Sequence, residues 1–177
     1  MLLNEILVYN KNFLEKKEYM PYQSGKVAQK QLLVFTCMDT RLTELLHKAM
    51  GLHGGDAKFV KNAGASLIGY QDDTIRSILI ALYALSINQI FVVGHYDCAM
   101  ERVHGEEMEA MLRSSGMTDK DTKDFSVSSW LQGISGAKEN VENSVHILRT
   151  HPLLPKDTKV YGLLIDPATG RLDPVVT

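Results

Sequence analysis

Two short runs carry the chemistry of this chain: Cys37-Met38-Asp39-Thr40-Arg41 and His95-Tyr96-Asp97-Cys98. Together they hold both of its cysteines. Two thiolates and one imidazole form a borderline-soft donor set that suits zinc, which accepts tetrahedral geometry without redox chemistry. Cys37, His95 and Cys98 would leave a fourth position open for water, a pattern of catalysis more than of scaffolding. Two thiolates cancel the charge of Zn²⁺, so a bound water is acidified less than at a three-histidine site and needs help from its neighbours. Asp39 can accept a hydrogen bond from hydroxide on the zinc and leave a lone pair aimed at an electrophile. It can instead bind the zinc as fourth ligand and close the site. Arg41 can pair with Asp39 through a planar fork, which orients the carboxylate and keeps it ionised. The competing reading is a redox dithiol of Cys37 and Cys98. It lacks a C-x-x-C pair and leaves His95 and Asp39 without a role.

These residues need elements that bring them together. Leu32-Leu33-Val34-Phe35 is a continuous apolar run, as in a strand buried on both faces of a parallel sheet, and Cys37 follows it. Ile90-Phe91-Val92-Val93 is a second such run, ended by Gly94 and followed by His95 and Cys98. A short strand at Ala57 to Val60 lies between them, and Lys159 to Ile165 is a fourth buried strand. Asp166 to Gly170 is a turn signal, after which Leu172 to Val176 can return as an antiparallel edge strand.

Helices are expected from Leu2 to about Lys17, from Leu42 to Met50 with Gly51 as its stop, and after a cap at Asp72 or Asp73. Further helices are expected from Asp97 to about Ser114, with Asp97 as a candidate cap, and from Trp130 to Arg149 before Pro152 and Pro155. Met20 to Lys30 reads as a loop, and polar Met117 to Ser128 is assigned no element. Alternating strands and helices imply an α/β fold: one domain over residues 1–177, with a five-stranded, mainly parallel sheet flanked by helices. In the common order 2-1-3-4-5 the first and third strands are neighbours. Ligands bind between their C-terminal ends, at the topological switch point, and that order alone gathers Cys37, His95 and Cys98. The N-terminal helix packs either on a partner subunit or on its own domain.

Composition narrows the partners. The chain has 177 residues, 45% hydrophobic and 23% charged, with a formal charge of −2. That balance is globular and offers no strong field to nucleic acid or an anionic membrane. Its start lacks the basic and apolar regions of a signal peptide, and its longest apolar run, Ile78 to Leu85, is too short to cross a bilayer. A soluble cytoplasmic protein is the expectation, in which two cysteines point to metal or redox roles rather than a structural disulfide.

At these residues the chain resembles the β-class carbonic anhydrases, particularly their small prokaryotic members. The resemblance lies in C-x-D-T-R followed by G-H-x-D-C, with Lys61-Asn62-Ala63-Gly64 similar to an Arg-Asn-Ala-Gly segment of that family. It runs from the first strand to Gly170-Arg171-Leu172-Asp173-Pro174. It implies zinc on Cys37, His95 and Cys98, Asp39 and Arg41 as a catalytic dyad, and a sheet of order 2-1-3-4-5. It also implies homodimers, often paired into tetramers. The implied reaction is reversible hydration of CO₂ to bicarbonate and a proton, by attack of zinc-bound hydroxide. Alternatives on the same site are hydrolysis of CS₂ or COS, and a non-catalytic zinc- or bicarbonate-binding protein.

Three departures stand out. Ala99 follows Cys98 where that family commonly has Gly, Tyr96 stands where a smaller residue is common, and Lys61 replaces Arg. The Tyr96 phenol is expected to pack beside the zinc. His47 and His53 are expected at the surface or a helix end, although either could shuttle protons. His104, Glu106 and Glu107 read as a solvated helical face. Trp130, the single tryptophan, is expected in the core.

Overall fold

A computed structural model of the chain describes residues 1–123 and 125–177. Strands β1 (Leu32–Cys37), β2 (Ala57–Asn62), β3 (Gln89–His95), β4 (Lys159–Ile165) and β5 (Leu172–Val176) form one sheet in the order β2-β1-β3-β4-β5. The first four are parallel, and β5 runs antiparallel along the β4 edge. This is the order and polarity expected from the sequence.

The buried strands explain the apolar runs. Every residue of β1 is buried, because helices cover both faces of the sheet. Leu33 and Phe35 face α3 (Asp73–Ala84) and α6 (Ala137–Thr150), packing in one cluster with Ile75, Ile78, Val141 and Leu148. Leu32 and Val34 face the other way, in a cluster with Leu42 and Leu46 of α2 (Leu42–Ala49). Each such side chain contributes about 1.5–3 kcal/mol relative to exposure. Local signals hold at several ends. Asp72 caps α3 by accepting from the Thr74 N–H at 2.8 Å, and Gly51, with φ 63°, follows the end of α2.

Several expectations need correction. β3 does not end at Gly94 but runs on to His95, and β2 reaches Asn62. Gly94 is there because α6 lies so close: a methyl group on it would stand 2.6 Å from Val141 Cγ2. The helix expected from Asp97 is instead a 3₁₀ turn at Ala99–Arg102 followed by α4 (Gly105–Ser114), with extended backbone at Val103. The helix expected from Trp130 is α5 (Val127–Trp130), a non-helical segment over 131–136, and then α6. Long-range bonds break it: the N–H groups of Gly133 and Ile134 donate to Val103 and Met100 carbonyls at 3.1 and 3.0 Å. Gly133 has no room for a side chain against those same carbonyls. Trp130 is not core but 58% exposed. Within polar Met117 to Ser128, Val127 already begins α5, and the reading at Asp124 lies outside the described residues.

α1 (Leu2–Glu15) forms where its periodicity places it, yet none of its residues is buried. No helix among the described residues is long and apolar enough to cross a membrane.

Gly162 of β4 gives α6 the same close approach as Gly94. A methyl group there would lie 2.7 Å from Val141 Cγ1 and 3.2 Å from Val145 Cγ2. Gly162→Ala is therefore expected to destabilise the chain by about 1–3 kcal/mol through overpacking. Val141→Ala in the same chain should restore part of that loss. Urea denaturation of both single variants and the double variant checks this, because independent sites would simply add.

Candidate metal centre

Cys37 is the last residue of β1 and His95 the last of β3, and these strands are hydrogen-bonded neighbours. A tight turn then returns Cys98 to the same point. The ligand atoms of Cys37, His95 and Cys98 lie within 4.8 Å of one another, and all three residues are buried. Among the described residues no other group of His, Cys, Asp or Glu side chains converges in this way.

The donor chemistry fits a metal ion. The His95 ring lies 2.9 Å by Nδ1 from the Tyr96 carbonyl oxygen. A carbonyl only accepts, so Nδ1 carries the proton and Nε2 presents its lone pair. Nε2 is buried and has no hydrogen-bond partner. Orienting one ring nitrogen through the backbone while the other faces a metal is the usual arrangement of a histidine ligand. Burial raises the pKa of the Cys37 thiol, but the His95 ring and the N–H groups of Asp39 and Gly64 outweigh it and lower the net value. Burial pushes the Cys98 thiol up to about 11, with the neighbouring Cys37 adding to the effect. Two buried sulfurs beside an unpartnered imidazole nitrogen form a donor set that a cation would fit, displacing thiol protons as it binds.

Asp39 stands next to this trio without belonging to it. Its Oδ2 is 3.8 Å from His95 Nε2. Arg41 grips the carboxylate at both oxygens, with Nε 3.0 Å from Oδ1 and Nη2 2.9 Å from Oδ2, and the Arg41 N–H adds a third bond at 2.8 Å. The Arg41 guanidinium holds the Asp39 carboxyl at about 2, so it is ionised at any neutral pH. A cavity of about 330 Å³ opens here, lined by Cys37, Asp39, Arg41, Ala63, Ala99 and Met100 among others. A neighbouring apolar cavity of about 440 Å³ shares Ala63 and Met100 with it, and exposed Trp130 forms part of its wall.

Of the other residues singled out, Asp97 and Tyr96 depart from expectation, while His53 and the cluster at His104 lie where expected. Asp97 caps no helix; it has φ 53° and pairs with Arg41 and Arg102 at 3.1 and 3.0 Å. The Tyr96 phenol does not pack toward the ligands but donates to Asp173 Oδ2 of β5 at 3.0 Å. His53 and the cluster His104, Glu106 and Glu107 are exposed, as is Lys61. His47 is half-buried, its ring stacked on Phe59 at 4.0 Å. Neither His47 nor His53 lines the cavity at the ligands.

One contributor was not singled out for its chemistry in the sequence. The Gly64 N–H donates to Cys37 Sγ at 3.3 Å, and Gly64 has φ 81°, a conformation glycine adopts freely. Asn140 of α6 fixes that loop by donating to the Gly64 carbonyl at 2.9 Å. The signal was the Asn-Ala-Gly segment, whose local sequence does not reveal which sulfur it will meet.

Because burial keeps the Cys98 thiol protonated until well above neutral pH, metal binding would displace at least that proton. Apparent affinity is therefore expected to fall about tenfold for each pH unit lowered, per proton displaced. Competition with a chromophoric chelator between about pH 6 and pH 8 reads this directly, and a flat profile would contradict it.

Comparisons with known proteins agree with this geometry. A family model described as carbonic anhydrase matches residues 32–172. YvdA of Bacillus subtilis, assigned as a carbonic anhydrase, is 41% identical over 179 residues, covering 98% of this chain and 91% of its own. A carbon disulfide hydrolase of Acidianus is 32% identical over 160 residues, covering 81% of this chain and 76% of its own. The crystal structure of β-carbonic anhydrase isoform I from Trichomonas vaginalis superposes with a TM-score of 0.91 at 31% identity, covering 100% of this chain and 98% of its own. Sequence and fold thus agree over nearly the whole length, and the chain belongs to the β-class carbonic anhydrase family.

Proposed function

We propose that the chain binds zinc through Cys37, His95 and Cys98 and catalyses the reversible hydration of CO₂ to bicarbonate and a proton. The observation that carries this reading is the Asp39–Arg41 clamp beside three converging, buried donors. When bound, zinc acidifies a water so that hydroxide becomes available near neutral pH. Asp39, with its carboxyl at about 2, can only accept hydrogen bonds. It would accept a hydrogen bond from a hydroxyl beside it and so direct that oxygen's lone pair toward the carbon of CO₂. Arg41 holds both carboxylate oxygens and so fixes the direction in which Asp39 accepts. In the net reaction a water oxygen would bond to the carbon, one C=O electron pair would move onto oxygen, and the proton lost by that water would pass to solvent, giving bicarbonate.

A second reading uses the same residues on CS₂ or COS, which are also linear electrophiles. It is supported by the similarity to a carbon disulfide hydrolase and by Ala99 and Met100 in the cavity wall. The third is a zinc- or bicarbonate-binding protein without turnover.

Stopped-flow CO₂ hydration on zinc-replete protein separates them. Acceleration above the buffer rate supports the first reading. Sulfide release from CS₂ or COS without CO₂ hydration selects the second, and stoichiometric zinc with neither activity selects the third. Under the first reading, Asp39→Asn is expected to lower kcat/KM by about 10² or more while zinc content stays unchanged.

We also propose a cytoplasmic homodimer or homotetramer in which α1 packs on another copy of the chain. Leu2, Leu3, Ile6, Leu7 and Val8 are each more than half exposed, an arrangement that calls for a partner. Ile6→Glu combined with Leu7→Glu should shift the species seen by analytical ultracentrifugation toward monomer; an unchanged distribution would remove α1 from the interface.

A further inference from the structure

We infer that Asp97 is a positioning residue for the Asp39 carboxylate, acting through Arg41, with Arg102 as its tether. The inference rests on the role proposed above for Asp39.

The Arg41 guanidinium is held along two edges. Toward Asp39 it donates from Nε and Nη2. Toward Asp97 it donates from Nη1 to Oδ2 at 3.1 Å, and from Nη2 to the backbone carbonyl at 2.9 Å. Gripped on one edge only, a guanidinium on a long side chain can still swing and carry its carboxylate with it. A second anchor fixes the plane. Asp97 supplies that anchor twice, through its side chain and its backbone. It can do so because it sits at φ 53°, a left-handed conformation that Asp tolerates better than most residues.

The free oxygen of Asp97 is also used. Oδ1 accepts from Arg102 Nη1 at 3.0 Å, so the carboxylate is held from behind. Asp39, Arg41, Asp97 and Arg102 form a chain of alternating charge leading from the donor trio to the protein surface. Asp97 and Arg102 are largely exposed, and exposed ion pairs contribute little to stability. The structural effect of this pair is therefore orientation of Arg41 rather than stability of the fold.

The test uses zinc-loaded full-length protein and two variants. Asp97→Gly keeps the backbone conformation and its carbonyl while removing the carboxylate. Arg102→Gln leaves Asp97 in place without its tether. Solvent exchange of the Arg41 Nε–H, followed by ¹⁵N NMR, is expected to accelerate about tenfold in Asp97→Gly and less in Arg102→Gln. kcat for CO₂ hydration should fall by a similar factor in Asp97→Gly, with zinc content and thermal midpoint unchanged. Unaltered Arg41 exchange in Asp97→Gly overturns the inference, whatever happens to turnover. Loss of zinc in that variant also overturns it, because Asp97 would then be holding the His95–Cys98 turn. If the unsubstituted chain does not hydrate CO₂, the proposed activity fails separately, and the Arg41 exchange still decides whether Asp97 positions it.

Discussion

Two sulfurs and one imidazole nitrogen share a single buried point, a donor set that a cation would satisfy. The Cys98 thiol is pushed up to about 11 by burial and by the other sulfur, while His95 Nε2 has no hydrogen-bond partner. Each is costly in a protein interior unless compensated. The N–H groups of Gly64 and Asp39 act on Cys37 and that of Met100 acts on Cys98, where burial still dominates. The trio is thus a group that could hold a metal ion.

The rest of the fold serves that point. Parallel neighbours β1 and β3 end side by side, so their last residues face the same crevice. Helix α6 then has two tasks. It presses against β3 and β4 at Gly94 and Gly162, where no methyl group fits, and it holds the Gly64 loop through Asn140. Packing over one face of the sheet and the electrostatics of the Cys37 sulfur therefore share an element. A shift of α6 would move the N–H that donates to the Cys37 sulfur.

The edge of the site follows different rules from its interior. Inside, charges are few and buried. Outward from half-buried Asp39, carboxylates and guanidiniums alternate through the exposed side chains of Arg41, Asp97 and Arg102, and exposed pairs of this kind contribute little to stability. On another side the wall is apolar, formed by Ala63 and Met100 between the cavity at the ligands and the cavity beneath Trp130.

Much of this was legible in the residues themselves. Apolar runs marked β1, β3 and β4, the strands at the middle of the sheet, and the soft donors placed at the ends of two of them marked the group that converges. Asp39 and Arg41 were legible because a carboxylate and a guanidinium two residues apart on one turn have little freedom to avoid each other. Where long-range contacts compete with local preference, the sequence was silent. The stretch 131–136 has a helical pattern but leaves it to bond Met100 and Val103, whose position depends on the Cys98 turn. Asp97 reads locally as a cap and becomes an anchor for Arg41, 56 residues away. Trp130 reads as core and lies exposed. Periodicity and donor type are properties of short segments and survive in one dimension. The partner of a turn, an exposed carboxylate or a lone aromatic is chosen by whatever the folded chain brings near, and only the tertiary structure decides that.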